Sequence, residues 1–561
     1  MLAPQVNKDL RKSLIELRLG VSVTVLPGQN TPGIQDGLRR LQCSVVVQSL
    51  DFSRLSRNMH GDRVRFEDLA SAVKLCNGLQ RMNLRCMCMS ERGILQLGEL
   101  RKTLTKLCEL NLASNGFDDS NAAKLCEALQ GLPLTSLDLR NNSIREDGCT
   151  KLSQCFAQWS TLEGLHLENN RIGEEGLKRM ASALFKGNPN LRSLNLKRVF
   201  TQAPSAAAFA LMGQLVALEE INISSNKIGA EGFAAIARAF ASLSCLRLLD
   251  LSNNELGPGS AAKLCDILQA CPKLCNLCLR RNNFGDAGVA GIGASWDSHG
   301  QLACLDMGSN NLSAQGLANI TAFGNFSELD LSHNRVRQAE EVEMPQNCFQ
   351  NVTVLRRLSL QDCGLSPQKM VTLMGQVPHY GALTCLELGG NHVWGESIES
   401  LAKVLGLCTT LCTLGLDRVM CGPGGMLHIA NHLVQLTRLT HVNLAENRIG
   451  TGGSEHLARV LRACTRLCKL DISKNNFDGT VTLPFFGVLL KLTELKELDV
   501  SFNELRVGGI RQLMPLLAQS SSLSSLNLEM CHIGDEGVQV LAQGLRLFCA
   551  LRTLDLSSNR I

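Results

Sequence analysis

Two histidines and a cysteine in the segment CGPGGMLHIANH are residue types that bind zinc. His428 and His432 are four residues apart, so a helix would place both on one face, and Cys421 precedes them. A zinc protease also needs a glutamate directly after its first histidine, and Ile429 occupies that place. We therefore interpret the two histidines as polar residues on the outer face of a helix.

Cys275 and Cys278 form a C-x-x-C pair, with Cys271 and Cys304 nearby in the sequence. A structural zinc site needs four ligands that converge tetrahedrally, whereas these cysteines are expected on different faces of a repeated unit. The chain contains no G-x-x-x-x-G-K-[ST] phosphate loop, and its scattered Ser, His and Asp residues define no nucleophilic triad. We predict a protein that is not an enzyme and that uses no metal or cofactor.

The dominant pattern is an internal repeat, Leu-x-x-Leu-x-Leu-x-x-Asn-x-Ile-Gly-x-x-Gly, as in LTHVNLAENRIGTGG. Nearly all intervals between first leucines are 27 to 29 residues; the step from Leu302 to Phe326 is 24 residues and is expected to lose about one turn of helix. Weaker copies open at Leu14, Val47 and Leu79. The regular copies start at Leu107, Leu134, Leu162, Leu191, Leu218, Leu246, Leu274, Leu302, Phe326, Leu355, Leu383, Leu411, Leu439, Leu467, Leu495, Leu523 and Leu551.

Each copy predicts a strand, a turn and a helix. The Leu-x-x-Leu-x-Leu core alternates apolar and polar residues with period two, and an apolar helical stripe follows the glycine, as at Val538, Leu541 and Leu545. Strands pack about 4.8 Å apart and helices about 10 Å apart, so successive copies must rotate by about 20°. We predict an α/β solenoid of about twenty leucine-based repeats, a horseshoe or superhelix with parallel strands on the concave face and α-helices on the convex face. The irregular segment AEEVEMPQNCF is a candidate break in its curvature.

The asparagine at the ninth motif position is predicted to be structural, because a buried carboxamide can donate to and accept from the backbone groups of the turn. Cys363 and Cys531 hold this position with a weaker donor, while Val199 and Val419 have no side-chain donor, so looser or altered turns are expected at the two valines. The predicted asparagine ladder comprises Asn115, Asn142, Asn170, Asn226, Asn254, Asn282, Asn310, Asn334, Asn391, Asn447, Asn475, Asn503 and Asn559.

Motif positions three, five and seven are expected on the concave face, opposite to the leucines. Position five is mostly acidic or amide, and positions seven and eight carry basic groups. One interpretation is a charge-balanced lining that keeps the solenoid in solution; the other is a polar docking groove whose basic strip, Lys197, Arg280 and Arg281, suits an acidic protein partner. The candidate concave interaction surface comprises Arg140, Lys197, Arg198, Asp250, Arg280, Arg281, Asp306, Asp330, Glu387, Arg418, Asp471, Lys474, Asp499 and Phe502.

The 28-residue unit, with its strand, asparagine ladder and full α-helix, resembles the ribonuclease-inhibitor type of leucine-rich repeat over essentially the whole chain. The resemblance implies a non-catalytic protein-protein interaction scaffold. The array is most similar to the C-terminal repeats of NOD-like receptors, including the member associated with MHC class I gene activation, which implies the ligand-sensing, regulatory region of an innate-immune regulator. The alternative is a stand-alone regulator, either an activator of a small GTPase or a regulator of actin assembly.

Residues 1–106 are predicted to form irregular N-terminal repeats and residues 107–561 regular ones, in one continuous solenoid. The sequence ends at LRTLDLSSNRI, halfway through a unit, so the C-terminal cap of the solenoid is expected to be missing. Such an ending is typical of a piece of a longer array and favours the receptor interpretation.

Composition indicates a cytoplasmic protein, with the nucleus as the alternative location. The chain has no run of about 18 apolar residues and no signal peptide, so no membrane span or secretion is predicted. The 24 cysteines recur at fixed positions of the repeat and are expected to be reduced. A net charge of +5 and few aromatic residues argue against binding of nucleic acid and against inhibition of basic ribonucleases.

Overall fold

The computed structural model describes residues 20–24, 36, 46–53, 65–200, 209–294, 302–334, 336, 349, 352–375, 382–391, 393, 396–479, 483–544 and 550–561. The chain divides into two compact units, Met1–Asn282 and Asn283–Ile561. Both units consist of parallel strands on one side and helices on the other, which confirms the predicted α/β repeat. The boundary between irregular and regular repeats at residues 106 and 107 stays a prediction.

Parallel strands form the sheet of the first unit, and each strand pairs with the next one along the chain. The central leucines are in register, so that Leu137 lies opposite Leu110 on one side and Leu165 on the other. The strands are β1 (Gly20–Thr24), β2 (Val46–Asp51), β3 (Arg81–Asn83), β4 (Glu109–Asn111), β5 (Ser136–Asp138), β6 (Gly164–His166), β7 (Ser193–Asn195), β8 (Glu220–Asn222), β9 (Leu248–Asp250) and β10 (Asn276–Cys278).

The second unit repeats this arrangement. Leu498 lies opposite Leu470 in the preceding strand and Leu526 in the following one. The strands are β11 (Cys304–Asp306), β12 (Glu328–Asp330), β13 (Arg357–Ser359), β14 (Cys385–Glu387), β15 (Thr413–Gly415), β16 (His441–Asn443), β17 (Lys469–Asp471), β18 (Glu497–Asp499), β19 (Ser525–Asn527) and β20 (Thr553–Asp555).

Helices return the chain from the end of one strand to the start of the next. Some begin at a capping side chain: Asp118 accepts hydrogen bonds from the backbone N–H groups of Ser120 and Asn121. The helices are α1 (Phe66–Val73), α2 (Glu91–Leu100), α3 (Asp119–Leu129), α4 (Glu146–Phe156), α5 (Gly173–Gly187), α6 (Gly229–Phe240), α7 (Ala261–Ala270), α8 (Gly285–Ala294), α9 (Ala314–Phe323), α10 (Pro367–Gly375), α11 (Glu396–Leu407), α12 (Gly422–Leu433), α13 (Gly450–Ala463), α14 (Leu483–Leu489), α15 (Arg506–Gln519) and α16 (Gly534–Gly544), with 3₁₀ turns at Leu211–Gln214 and Pro258–Ser260.

Motif leucines fill the space between the strand and helix layers of each unit. In the last helical repeat, Leu523, Leu526 and Leu528 from the strand side and Leu541 from α16 are each at most 3% exposed. Complete burial of one such side chain contributes about 1.5–3 kcal/mol. Because the leucines recur in register, this core spaces the strands and their polar neighbours evenly.

The short repeat between Leu302 and Phe326 retains its strand pairing, with Cys304 opposite Glu328. Its helix α9 has 10 residues, the same length as α7 in a 28-residue repeat, whereas α13 has 14. The predicted loss of about one helical turn therefore stays a prediction. The irregular segment AEEVEMPQNCF lies, apart from its last residue, outside the described residues.

A disulfide joins Cys126 of α3 to Cys155 of α4. The prediction of reduced cysteines is wrong for this pair. Among the other described cysteines, Cys149 and Cys408 are buried thiols. Burial raises the pKa of the Cys149 and Cys408 thiols to about 12, so these groups stay protonated and weakly nucleophilic at neutral pH.

Buried asparagines follow the strands at the ninth motif position, and all thirteen predicted members of the ladder are at most 9% exposed. Oδ1 of Asn475 accepts hydrogen bonds from the backbone N–H groups of Asn447 and Ile449 in the preceding repeat, at 3.1 and 3.3 Å. Its Nδ2 donates to the carbonyls of Leu444 and Ile472, at 2.8 and 3.1 Å. One carboxamide therefore satisfies four backbone groups in two successive repeats.

Cysteine and valine replace this asparagine in some repeats. Sγ of Cys363 donates at 3.2 Å to a backbone carbonyl of the preceding repeat. The backbone N–H of Val199 donates to Oδ1 of Asn226 in the following repeat at 2.9 Å, and Arg198 has a φ of 56°, within the range of the eighth positions of intact repeats. Val419 likewise follows a residue with a φ of 54°. The altered turns predicted at the two valines are therefore wrong, because the next asparagine still supplies the acceptor. The alternative, a looser turn at each valine, stays a prediction.

We predict that Asn475→Ala lowers the free energy of unfolding by about 3 kcal/mol or more, since an unpartnered buried polar group costs about 1–3 kcal/mol. Asn475→Cys retains a donor of the kind present at Cys363, so its loss should be smaller. Guanidinium unfolding followed by circular dichroism compares the two variants with the wild type. Equal losses would show that donation from this position does not stabilise the turn.

Candidate interaction surface on the strand face

The strand face, as we name it, consists of the side chains at motif positions three, five, seven and eight. In most of the strands, the middle residue is buried in the core while its neighbours are exposed or half-buried, as in Glu497–Asp499. The face therefore presents the residues between the core leucines and those of the turn that follows. Every predicted surface residue lies at one of these positions.

Position eight holds its side chain on a left-handed backbone. The predicted surface residues at this position have φ angles between 53° and 57°: Arg198, Arg281, Arg418, Lys474 and Phe502. Such angles are uncommon outside glycine, and the hydrogen bonds of the adjacent asparagine ladder hold the backbone in this conformation. The side chains consequently extend from a fixed turn, which reduces the entropy lost when a partner binds.

The acidic residues at position five have a second, structural role. Oδ1 of Asp471 accepts the backbone N–H of Ser473 at 3.0 Å, an Asx turn that ends the strand. The same hydrogen bond from position seven is accepted by Asp250, Asp306, Asp330 and Asp499. We predicted these residues only as surface charges; the frequent serine two residues later is the signal of a turn that the prediction missed.

Negative charge is crowded around two of these carboxylates. Glu387 accepts a hydrogen bond from Gln361 Nε2 at 3.3 Å. Burial, followed by the charge of Asp417, raises the pKa of Glu387. Burial also raises the pKa of Asp471, and the charges of Asp499 and Asp417 add to the effect. A cation brought to this part of the strand face would be attracted by both groups.

The predicted basic residues of the first unit are partly neutralised by neighbouring acids. Arg140 Nη2 lies 2.7 Å from Asp138 Oδ2, and Lys197 Nζ lies 3.7 Å from Glu168 Oε1. Across residues 79–282 the strand face carries seven lysines or arginines and five carboxylates. The predicted basic strip therefore lies on a face with a net charge of only plus two, and its preference for an acidic partner stays a prediction.

The strand face of the second unit is strongly acidic. Across residues 302–561 it carries twelve carboxylates and four lysines or arginines, a net charge of minus eight, although the whole chain has a net charge of +5. The basic residues are Arg357, Arg418, Lys469 and Lys474. The carboxylates are Asp306, Glu328, Asp330, Asp362, Glu387, Asp417, Glu446, Asp471, Glu497, Asp499, Glu529 and Asp555. Six of the twelve lie at motif positions three, seven or eight, where acids were not predicted, and Asp555 lies at position five but was not among the predicted surface residues.

One arginine crosses an entire repeat of this face. The Arg418 guanidinium donates to both carboxylate oxygens of Asp362, at 2.7 and 3.0 Å, and to Asp417 at 3.0 Å. The intervening repeat has Gly389 and Gly390 at positions seven and eight, and a Cβ added to Gly390 would overlap Asp362 Oδ1. The hydrogen bonds to Asp362 are the main cause that raises the pKa of Arg418 above its ordinary value. We call this arrangement the arginine bridge.

Cys421 and His428, two of the candidate zinc ligands in the sequence, lie in different environments. Cys421 is buried at the start of α12, where burial raises its pKa to about 12 and so opposes the thiolate that zinc requires. His428 instead lies near the surface, with Nδ1 3.7 Å from Glu399 Oε2. In the part of the chain that the structure describes, no group of three or more His, Cys, Asp or Glu residues is arranged to hold a metal ion.

Comparison with known proteins identifies the repeat. The family described as Leucine Rich repeat matches residues 133–153, 160–181, 217–237, 242–265 and 519–542. A ribonuclease inhibitor of Sus scrofa is 28% identical over 160 residues, which cover 28% of this chain and 35% of that protein. These segments of the chain carry leucine-rich repeats, which are similar to those of the ribonuclease inhibitor.

Similar leucine-rich repeats occur in NACHT, LRR and PYD domains-containing protein 13 of Homo sapiens, which is 26% identical over 245 residues, 39% of this chain and 23% of that protein. The matched segments thus span about a third of the ribonuclease inhibitor and less of the NACHT protein. Among solved structures, the crystal structure of a TLR13–ssRNA13 complex has a TM-score of 0.43 at 18% identity and covers 96% of this chain and 91% of that one. No helix among the described residues combines the length and apolar character that a membrane span requires.

We predict that Gly390→Ala destabilises the second unit by about 1–2 kcal/mol more than Gly450→Ala, which serves as the matched control. Both glycines have positive φ (71° and 61°), so both substitutions strain the backbone. Only at Gly390 would the added Cβ displace the arginine bridge; at Gly450 nothing lies within 4 Å of it. Denaturant midpoints measure the difference, and equal midpoints would mean that the arginine bridge does not stabilise the fold.

Proposed function

We propose that this chain is a protein-binding scaffold whose partner contacts the strand face. The observation that carries the proposal is the row of charged and apolar side chains held at left-handed turn positions by buried hydrogen bonds. These side chains are preorganised, so a partner would order few rotamers and no loops on this side of the interface. The helices cover the opposite side of the core within each unit and leave the strand face to the partner.

The charge on the strand face supports selective contact. The net charge of minus eight in the second unit is concentrated on one side of the fold, where it would steer the approach of a partner and discriminate between partners of opposite charge. A lining that served only to keep the protein in solution would not need an acid excess confined to one unit. This separation favours the docking interpretation over the charge-balanced lining.

We further propose that the chain is the regulatory repeat region of a NOD-like receptor type of innate-immune regulator, acting in the cytoplasm or the nucleus. The similarity to the NACHT, LRR and PYD protein supports this assignment. The size of the endogenous polypeptide tests it, by immunoblot with an antibody to the peptide Gln338–Asn347. A band far above 60.9 kDa agrees with the proposal. A band near that mass would favour the stand-alone regulator of a GTPase or of actin assembly.

Site-specific photocrosslinking in cells tests the scaffold proposal itself. Benzoylphenylalanine replaces Ser136 or Ser525 on the strand face, with Arg179 and Arg459 on the exposed helix surface as matched controls. We expect discrete adducts with another protein from at least one strand-face position and none from the helix positions. Adducts formed only from the helix positions would contradict the proposed binding surface.

A further inference from the structure

An exposed apolar pair interrupts the acidic strand face of the second unit. Phe502 and Met530 occupy position eight of neighbouring repeats, in the turns that follow the paired strands β18 and β19, and are 38% and 44% exposed. Strands of one sheet lie about 4.8 Å apart, so these two side chains are neighbours. Both have a left-handed backbone, with φ angles of 55° and 52°, and are therefore presented from fixed turns.

A lysine side chain lies over the ring of Phe502. Lys474 Nζ lies 5.2 Å from the centroid of the Phe502 ring and 2.7 Å from Glu446 Oε1. The lysine therefore contacts the ring as a cation while its charge is balanced by the glutamate. The apolar surface of Phe502 and Met530 is left for a partner, and aromatic residues in such positions are frequent energetic centres of interfaces.

Two carboxylates lie close to this apolar pair: Asp499 is in the same repeat as Phe502, and Asp471 is in the repeat before it. Asp471 and Asp499 are opposite each other on β17 and β18, and Asn527 donates through Nδ2 to Asp499 Oδ2 at 2.9 Å. In both aspartates, Oδ1 is committed to the Asx turn with the serine at position seven. The turns hold the two negative charges side by side, where a guanidinium or ammonium group would relieve their repulsion.

We propose that Phe502, Met530, Asp471 and Asp499 form a docking site for a basic protein segment that carries an apolar residue beside its arginines or lysines. The apolar residue covers the Phe502–Met530 pair, and a basic residue lies over the two aspartates. Charge complementarity with a face of net charge minus eight selects this partner over an acidic one. The site rests on the proposed function and specifies the chemistry of the partner.

Fluorescence polarisation with three labelled peptides tests the docking site on the full chain. The first peptide has four arginines and a central leucine, the second replaces the leucine by serine, and the third replaces the arginines by glutamates. We expect the first to bind, with affinity that falls as salt rises from low to physiological concentration. The second should bind about fivefold more weakly, because it lacks the apolar contact, and the third should not bind.

Two double variants assign the contacts. Asp471→Asn with Asp499→Asn keeps the Asx turns, since asparagine makes the same turn at Asn443 and Asn527, and should weaken the arginine-leucine peptide about tenfold. Phe502→Ser with Met530→Ser should lower the affinity of the leucine peptide to that of the serine peptide. The affinity of the serine peptide should not change. Asp250→Asn, which makes the same Asx turn in the first unit, is the control and should have no effect. Circular dichroism confirms that each variant is folded.

Equal binding of the arginine and glutamate peptides, or binding of neither, would overturn the docking site. The docking site would also be overturned if Asp250→Asn weakened the binding of the arginine-leucine peptide as much as the double variant of Asp471 and Asp499 does. Photocrosslinked adducts from Ser525 together with such results would retain the strand face as the binding surface and reject only the basic partner. Adducts from the helix positions alone would reject the proposed function itself.

Discussion

The buried asparagine carboxamide is the interaction on which the remaining structure depends. Asn475 bonds four backbone groups in two successive repeats and so holds the turn after the strand in a single conformation. That conformation includes a left-handed residue at position eight, which side chains avoid unless the surrounding structure imposes it. The ladder thereby determines where Arg418, Lys474 and Phe502 leave the backbone, and it connects the fold to the surface that we propose for binding.

Much of the fold could be predicted because the same pattern of strand, turn and helix recurs along the chain. The leucine spacing identifies the strands, and the asparagine that recurs at the ninth motif position identifies the ladder residues. The two valine repeats show where the local argument is insufficient: Val199 has no donor, yet its turn is retained because Asn226 of the next repeat supplies the acceptor. A prediction made one repeat at a time does not include that cooperation.

The candidate surface was less predictable because it depends on which side chains meet across repeats. The arginine bridge joins Arg418 to Asp362 across a repeat whose Gly389 and Gly390 leave room for it, and no property of any one repeat indicates this. Total charge was also misleading. A chain with a net charge of +5 carries an acidic strand face in its second unit, so the electrostatic argument against basic partners does not apply to that face.

Hydrogen–deuterium exchange of the wild type and of Asn475→Ala tests most directly whether the ladder holds the turns of the strand face. The account predicts faster exchange in the Asn475→Ala variant for the turn at Asn447–Ile449, whose N–H groups Asn475 accepts, and for its own turn at Lys474–Phe477. Exchange in the first unit should be unchanged. Unaltered exchange at both turns, in a variant that remains folded, would contradict the account.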